Sequence, residues 1–172
     1  MKMGANKSFY IFISYVIFIF SSLFYGKEIA KYIYKHIGYH NYKILISLIS
    51  LIGLIIIFNL MKKEYTFLEF FTIGVLIFMT ALTYYLTRFP TDRLHLLEYM
   101  ILGILSYKVV HNENLNMKLK IFLAFLFVLT VGVLDEIFQS YLPNRDAEIE
   151  DIIRDAIGGF TGIIISFINS KK

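Results

Sequence analysis

Long apolar runs recur along the chain and limit its fold more than any other feature of the sequence. Each run has roughly 17–22 residues, about the length that a helix needs to cross a hydrocarbon layer about 30 Å thick. The six runs are Ser8–Tyr25, Tyr42–Leu60, Thr66–Leu86, Leu94–Val110, Ile121–Tyr141 and Asp151–Ile168. They show no period-2 alternation, and a segment inside lipid must satisfy its own backbone hydrogen bonds. We therefore predict an all-α membrane protein, a bundle of about six transmembrane helices, with five as the alternative count.

The composition supports a membrane protein and excludes several other classes. Of the 172 residues, 58% are hydrophobic and 17% are charged, whereas soluble domains have about 45–50% and about 25%. The chain has no cysteine, which excludes disulfides, thiolate nucleophiles and thiolate metal ligands. The net charge of +4 comes mostly from lysines at the ends of the runs. It therefore indicates orientation and lipid contact rather than nucleic-acid binding.

The connections between the runs are short, which predicts one polytopic membrane domain over residues 1–172. No small-residue cleavage site follows the first run, so we expect this run to be retained as a helix. Between the first two runs, Lys27, Lys31 and Lys35 recur every four residues, and isoleucines occupy another face. This pattern predicts a short helix in the plane of the membrane interface, with an irregular loop as the alternative.

The charge distribution favours one orientation of the bundle. With six spans both termini share a side, which carries nine Lys and Arg residues against eight on the other side. On the second side Arg93, Arg145 and Arg154 stand among carboxylates, which we expect to hold them, so they report orientation poorly. The remaining bias predicts that both termini face the cytoplasm.

Ionisable residues inside the last three runs gather near three run ends. Each one costs at least about 2.5–3.5 kcal/mol on insertion scales, so each needs a reason to be there. In a six-span serpentine, the start of the fourth helix, the end of the fifth and the start of the sixth meet at one membrane face. Connectivity therefore predicts one polar cluster at that face. Its members are His95, Glu98, Asp135, Glu136, Gln139, Asp151, Arg154 and Asp155, together with the loop residues Arg145 and Asp146.

Five of these residues are carboxylic acids, which repel one another unless protons or cations intervene. Arginines, a protonated His95 or a divalent metal ion would each supply the positive charge that offsets this repulsion. The candidate ligands are His95, Asp135, Glu136, Asp151 and Asp155. Their oxygens suit Mg²⁺, Ca²⁺ or Mn²⁺, or Zn²⁺ if the imidazole is a ligand. No spacing matches a metal signature such as His-Glu-x-x-His, so we favour an arginine–carboxylate network. We predict no cofactor and leave a divalent metal open.

The sixth run also contains closely spaced glycines. Gly158 and Gly162 form a small-xxx-small step, which lets a neighbouring helix approach closely. Asp155 lies about one turn from Gly158, so we expect this acid to be seated against a partner helix, either the fourth or the fifth.

In this order, the polar motifs resemble the VanZ-like family of bacterial membrane proteins. The motifs are His95-x-x-Glu98-Tyr99, Asp135-Glu136-x-x-Gln139, Pro143-x-Arg145, and Asp151-x-x-x-Asp155 followed by Gly158 and Gly162. They fall within residues 88–166, and the first two runs share nothing with the family beyond being apolar. Asn144 stands where the family usually has glycine; asparagine tolerates a left-handed turn.

The resemblance implies an integral membrane protein of the bacterial cell envelope, in a family whose namesake confers low-level resistance to the glycopeptide teicoplanin. It implies a multi-pass protein of the plasma membrane, whose partner is the lipid bilayer. The residues that match the motifs become the candidate functional cluster: His95, Glu98, Tyr99, Asp135, Glu136, Gln139, Arg145, Asp151 and Asp155.

Three hypotheses follow for this cluster. In the first, a non-catalytic envelope factor binds a lipid-linked cell-wall precursor or a glycopeptide at the extracytoplasmic face, with Arg145 as an anion clamp. In the second, the acids and His95 serve a membrane-embedded enzyme, through general acid–base chemistry or a carboxylate-held metal, on a lipid-linked substrate. In the third, the cluster only fixes helix packing. Nucleic acid is not an expected partner, and the sequence does not indicate an oligomeric state.

Overall fold

The computed structural model describes residues 2–59, 61, 64–87, 89–143 and 147–170, with side chains from residue 7 onward. Within these residues all regular secondary structure is helical, which confirms the all-α prediction. The helices are α1 (Lys2–Asn59), α2 (Phe67–Leu86), α3 (Asp92–His111), α4 (Met117–Ser140) and α5 (Ile149–Ser170). The six predicted runs lie on these helices, the first two of them on α1, apart from the end residues Thr66 and Tyr141 and from Leu60, which lies outside the described residues.

Helix α1 is two helices joined at a kink. Gly38 has φ 77° and ψ 161°, outside the helical region, and L side chains rarely adopt this conformation. Tyr15 in the first half (residues 2–37) donates a hydrogen bond to the carbonyl of Glu98, and Gly53 in the second half (residues 39–59) packs against the adjacent Leu97. The second half of α1 therefore turns back on the first half. The segment around Lys31 is helical, which excludes the irregular loop. It continues the first half of α1 rather than forming a separate helix.

Three of the helices are long and apolar enough to cross a membrane by length and composition. They are α1 from Lys7 onward, α2 and α4. Their outward faces carry exposed residues such as Phe24, Phe78 and Phe122, which is the pattern expected of surfaces in contact with lipid. Helices α3 and α5 lie at the centre of the bundle and, together with the end of α4, carry the buried ionisable residues.

Helix α3 packs most extensively against α5, and glycines make this contact close. A Cβ atom on Gly103, Gly158 or Gly162 would overlap a backbone carbonyl oxygen of the facing helix. The small-xxx-small step on α5 therefore does what the sequence predicts: it lets two helix backbones meet without side chains between them.

Ring contacts and hydrogen bonds show how the other helices surround this pair. The ring centroids of Phe12 and Phe127 lie 5.8 Å apart, and those of Phe20 and Phe138 lie 5.3 Å apart. Because the residue numbers increase together in both pairs, the first half of α1 runs in the same direction as α4. On the other side, the hydroxyl groups of Thr80 on α2 and Thr161 on α5 lie 3.1 Å apart. The beginning of α3, the end of α4 and the beginning of α5 meet at one end of the bundle, as connectivity predicts.

Candidate functional site

His95, Asp135 and Asp155 meet at this end of the bundle, one from each of three helices. We call them the His–Asp–Asp cluster. One nitrogen or oxygen atom from each residue lies within 4.8 Å of those of the other two. Nδ1 of His95 and Oδ1 of Asp155 lie 3.4 Å apart. Residues that are 20 to 60 positions apart in sequence therefore form one polar group.

The positions of these residues along their helices place the cluster just inside the bundle. His95 lies in the first turn of α3, Asp135 lies five residues before the end of α4, and Asp155 lies six residues after the beginning of α5. At a rise of about 1.5 Å per residue, the two acids lie about 7–9 Å from the helix ends. This depth corresponds to the boundary between headgroups and acyl chains if the helix ends reach the membrane surface.

Two glycines that the sequence analysis did not select complete the geometry. Gly132 lies one turn before Asp135, and a Cβ atom there would lie 3.3 Å from Oδ2 of Asp155. Gly103 on α3 allows α5 to approach at the level of Gly159. In the sequence, each appears only as a glycine within an apolar run. That pattern does not show which neighbouring side chain or helix occupies the space beside it.

The two acids of the cluster are almost completely buried. Asp135 and Asp155 are each 1% exposed, while the side chain of His95 is 17% exposed. Oδ1 of Asp135 and both carboxylate oxygens of Asp155 have no hydrogen-bond partner among the described residues. A buried carboxylate is costly unless a proton, a hydrogen bond or a counter-ion compensates it. Among the described residues, Nδ1 of His95, 3.4 Å from Oδ1 of Asp155, is the group at ion-pair distance that can become cationic.

Two further predicted site residues flank the cluster on α3. The ring of Tyr99 is fully buried and lies nearly parallel to the ring of His95, at an angle of 8° and a centroid distance of 6.3 Å. Its hydroxyl group faces the carboxylate of Asp155 without a well-formed hydrogen bond among the described residues. Glu98 is partly buried, and its charge acts on His95 and Asp155. Its backbone carbonyl accepts a hydrogen bond of 3.1 Å from the hydroxyl of Tyr15 on α1.

Glu136 and Gln139 connect the cluster to the beginning of α5. Nε2 of Gln139 donates to Oε1 of Glu136 at 3.1 Å and lies 3.4 Å from Oδ2 of Asp135. The other oxygen of Glu136, Oε2, accepts a 2.7 Å hydrogen bond from the backbone N–H of Glu148. Glu136 therefore has partners for both oxygens and links the end of α4 to the residue that precedes α5. It lies outside the group of potential metal ligands.

Asp151 belongs to a separate ion-pair group on α5. It pairs with the guanidinium of Arg154. Guanidinium nitrogens of Arg154 also lie 3.9 Å from a carboxylate oxygen of Glu148 and 3.7 Å from one of Glu150. Arg154 is thus held by carboxylates, as the sequence predicts. Of the five candidate metal ligands, the structure brings together His95, Asp135 and Asp155, and it gives Glu136 and Asp151 other partners.

The remaining arginines of this face differ from the prediction or fall outside the described residues. Arg93 was expected among carboxylates. Instead, its guanidinium donates to the backbone carbonyl of Thr87 at 3.1–3.3 Å and lies 4.9 Å from the ring centroid of Tyr84. It thereby fastens the end of α2 to the beginning of α3. Arg145, with its neighbours Asn144 and Asp146, lies outside the described residues.

The arrangement offers several buried acceptors and one imidazole within a few ångströms. Such a site can accept hydrogen bonds from amide, hydroxyl or ammonium groups, and these bonds are stronger because the acceptor is charged. It can also hold a cation, and it can move a proton between His95 and Asp155. The described residues supply no cationic partner to either acid besides His95 at ion-pair distance.

Comparison with known proteins gives one finding about the whole chain. A protein-family model described as VanZ/LLP1 matches residues 8–169. This match runs from the first half of α1 nearly to the end of α5, so it includes the first two apolar runs, in which the motifs alone showed no resemblance. No curated protein and no solved structure matches the chain.

Proposed function

The chain belongs to the VanZ/LLP1 family, and from this premise we propose that it is a multi-pass protein of the bacterial plasma membrane that binds a cell-envelope ligand at the His–Asp–Asp cluster. The ligand is the polar part of a lipid-linked cell-wall precursor or of a glycopeptide such as teicoplanin. The two share the same chemistry, since both present amide and hydroxyl groups that donate hydrogen bonds. Residues 1–172 act as one polytopic domain in this proposal.

The observation that carries the proposal is the set of buried carboxylate oxygens without partners. Asp135 and Asp155 are each 1% exposed, and three of their four oxygens have no hydrogen-bond partner among the described residues. A cluster that served only helix packing would be expected to satisfy its own members, as Glu136 does. Acceptors held ready at the end of a bundle are instead suited to a ligand that supplies donors.

The depth of the cluster favours a ligand attached to lipid. The acids lie about 7–9 Å inside the helix ends, where a headgroup meets its acyl chain. His95, with 17% of its side chain exposed, lies on the side from which a ligand would enter. A lipid anchor would hold the ligand's polar part at this depth without the protein having to extract it from water.

We place this face outside the cell, with both termini in the cytoplasm. This topology counts the two halves of α1 and helices α2–α5 as six spans. The basic residues at the cluster's end include Arg154, which is neutralised by Glu148, Glu150 and Asp151, and Arg93, which is buried against Thr87 and Tyr84. Held in this way, they add little to the positive-inside bias. The lysines around α4, Lys108, Lys118 and Lys120, then favour the cytoplasm for the opposite end.

An enzyme acting on the same lipid-linked substrate is the second candidate. The observation that favours it is the approach of Nδ1 of His95 to Oδ1 of Asp155 at 3.4 Å. A carboxylate beside an imidazole orients the ring and stabilises its protonated form, so His95 could serve as a general base or acid.

The test is a binding measurement on the full chain in lipid nanodiscs. We expect a polyprenyl-diphosphate-linked disaccharide peptide or teicoplanin to bind the native chain. Asp155→Asn should weaken binding about 10–100-fold, the effect of losing about 1.5–3 kcal/mol of charge-assisted hydrogen bonding. Glu150→Gln is the matched control, since this exposed acid lies on the same helix outside the cluster. Binding that is equal in the native chain and Asp155→Asn, or no binding of either ligand, would contradict the proposal. Turnover of the lipid-linked compound would select the enzyme.

A further inference from the structure

We propose that the His–Asp–Asp cluster binds one divalent transition-metal cation, and that Zn²⁺ fits its donor set best. This inference concerns the same residues as the proposed ligand site, but it does not depend on the identity of the organic ligand. Cation binding can be measured on the protein alone.

The donor geometry is the first observation. His95, Asp135 and Asp155 each offer one ligand atom, and these atoms lie within 4.8 Å of one another. Two ligands of a tetrahedral zinc ion, each about 2.0–2.1 Å from the metal, are about 3.3–3.4 Å apart. Nδ1 of His95 and Oδ1 of Asp155 are separated by 3.4 Å.

The unpartnered oxygens are the second and independent observation. Asp135 and Asp155 are each 1% exposed. Oδ1 of Asp135 and Oδ2 of Asp155 have no hydrogen-bond partner among the described residues, and Oδ1 of Asp155 lies 3.4 Å from Nδ1 of His95. Two buried carboxylates with a neutral imidazole carry a charge of −2, which a divalent cation neutralises. In the described part of the chain the nearest guanidinium on α5, that of Arg154, is paired with Asp151 and lies near Glu148 and Glu150.

The surroundings of the cluster suit an outer ligand shell. The amide of Gln139 lies 3.4 Å from Oδ2 of Asp135, which leaves Oδ1 directed elsewhere. Hydrogen bonds of this kind orient a ligating carboxylate and are part of the design of a metal site. Gly132 leaves the space that Asp155 occupies. Tyr99 closes the cluster on the side of α3 with a buried ring.

The choice of metal follows from the ligand types. A site of one imidazole and two carboxylates with a fourth position open resembles the three-ligand pattern of catalytic zinc sites rather than the closed pattern of structural ones. Mg²⁺ prefers oxygen ligands alone and keeps most of its waters. Imidazole therefore favours Zn²⁺ over Mg²⁺, and also over Mn²⁺, which has the lowest affinity of the divalent first-row metals for a given site.

The experiment is metal analysis of the full chain purified in detergent with an affinity tag that contains no histidine. After treatment with chelator and reloading with ZnCl₂, we expect one equivalent of zinc per chain by elemental mass spectrometry. X-ray absorption at the zinc edge should show nitrogen and oxygen ligands, including an imidazole. Since the chain has no cysteine, a sulfur shell would indicate contamination and count against the site.

Three variants test the ligands one by one. Asp135→Asn, Asp155→Asn and His95→Gln should each weaken zinc affinity by about 100-fold or more, because losing a ligand exceeds the roughly 10–100-fold effect of losing an outer-shell partner. Glu136→Gln is the matched control: it removes the neighbouring charge on α4 but lies outside the group, and it should retain one equivalent. Size-exclusion profiles and helical circular dichroism identify any variant that does not fold.

The outcomes separate this inference from the proposed function. A native chain that binds none of Zn²⁺, Mn²⁺ or Mg²⁺ overturns the cation site, even if it binds the lipid-linked compound or teicoplanin. Zinc that stays bound in Asp135→Asn and Asp155→Asn also overturns it. One equivalent of zinc that depends on these residues supports the site, even if neither organic ligand binds. The zinc-edge spectrum of the native chain decides the case if the variants fail to fold.

Discussion

At the scale of single residues, the structure separates acids that have found partners from acids that have not. Glu136 accepts hydrogen bonds from Glu148 and Gln139, and Asp151 pairs with Arg154. Asp135 and Asp155 lie a few residues away on the same helices, yet Oδ1 of Asp135 and Oδ2 of Asp155 have no hydrogen-bond partner in the described chain. Residue type alone does not distinguish these pairs, because all four are acids within the same motifs.

A single residue also determines how α1 can fold back on itself. Gly38 has φ 77° and ψ 161°, so we expect Gly38→Ala to lower the free energy of unfolding by about 1–3 kcal/mol, the cost of this conformation for an L residue. No steric clash contributes, because an added Cβ would meet nothing within 4 Å. Thermal unfolding in detergent measures the change.

Gly26→Ala is the control for this prediction. Gly26 lies in the same helix with helical backbone angles, and an added Cβ there also meets nothing within 4 Å. Alanine should therefore leave stability unchanged or raise it by about 0.5–1 kcal/mol. Equal changes in stability at positions 26 and 38 would contradict the prediction, because they would mean that the kink does not require glycine at position 38.

At the scale of helices, the contact between α3 and α5 holds the cluster together. Asp155 reaches His95 because the glycine face of α5 lets the two backbones approach, and Leu96 and Met100 of α3 face Gly158 and Gly162 directly. The positions of the cluster atoms therefore depend on residues that carry no chemistry. A change in helix spacing should disturb the cluster without altering any of its members.

Gly162→Ala tests this dependence. Its Cβ would overlap the carbonyl oxygen of Met100, a backbone atom that cannot rotate away. We expect a loss of about 1–3 kcal/mol in stability, the usual cost of overpacking, together with weaker zinc binding. The midpoint of thermal unfolding and the zinc affinity are the two measurements.

Gly74→Ala in α2 is the matched control, since an added Cβ at that position meets nothing within 4 Å. It should retain both stability and zinc affinity. If Gly162→Ala behaves like Gly74→Ala, the close contact does not position the cluster.

At the scale of the whole molecule, exposed residues next to the two ends of α4 can be used to test which end of the bundle faces outside the cell. Tyr141 follows α4 at the cluster's end and is 82% exposed, while Asn114 precedes α4 at the opposite end and is exposed. The proposed topology places Tyr141 outside the cell and Asn114 in the cytoplasm. Since the chain has no native cysteine, a single introduced cysteine reports its own position.

We expect Tyr141→Cys to react with a membrane-impermeant maleimide in intact cells and Asn114→Cys to react only after the cells are permeabilised. Labelling in the opposite pattern would reverse the orientation and place the cluster at the cytoplasmic face. Labelling of both residues in intact cells would show that α4 does not cross the membrane, and the six-span topology would fail.

Much of the architecture follows from the sequence because it depends on local chemistry. Long apolar runs must be helices in lipid, so the helical class and the places of the runs on α1–α5 are predictable. Serpentine connectivity then predicts that His95, Asp135 and Asp155 share one end of the bundle. The family is also readable from the ordered motifs, and the family match over residues 8–169 confirms it.

Contacts between helices decide the rest, since they depend on how each helix is rotated and how closely it packs. Only the folded chain reveals that Arg93 binds the carbonyl of Thr87, that Glu136 binds the N–H of Glu148, and that Gly132 makes room for Asp155. A sequence specifies which groups are available and at which end of a helix they lie. Which acid gains a partner and which stays unpaired depends on distances of an ångström or two, and these are set by the packing of the entire bundle.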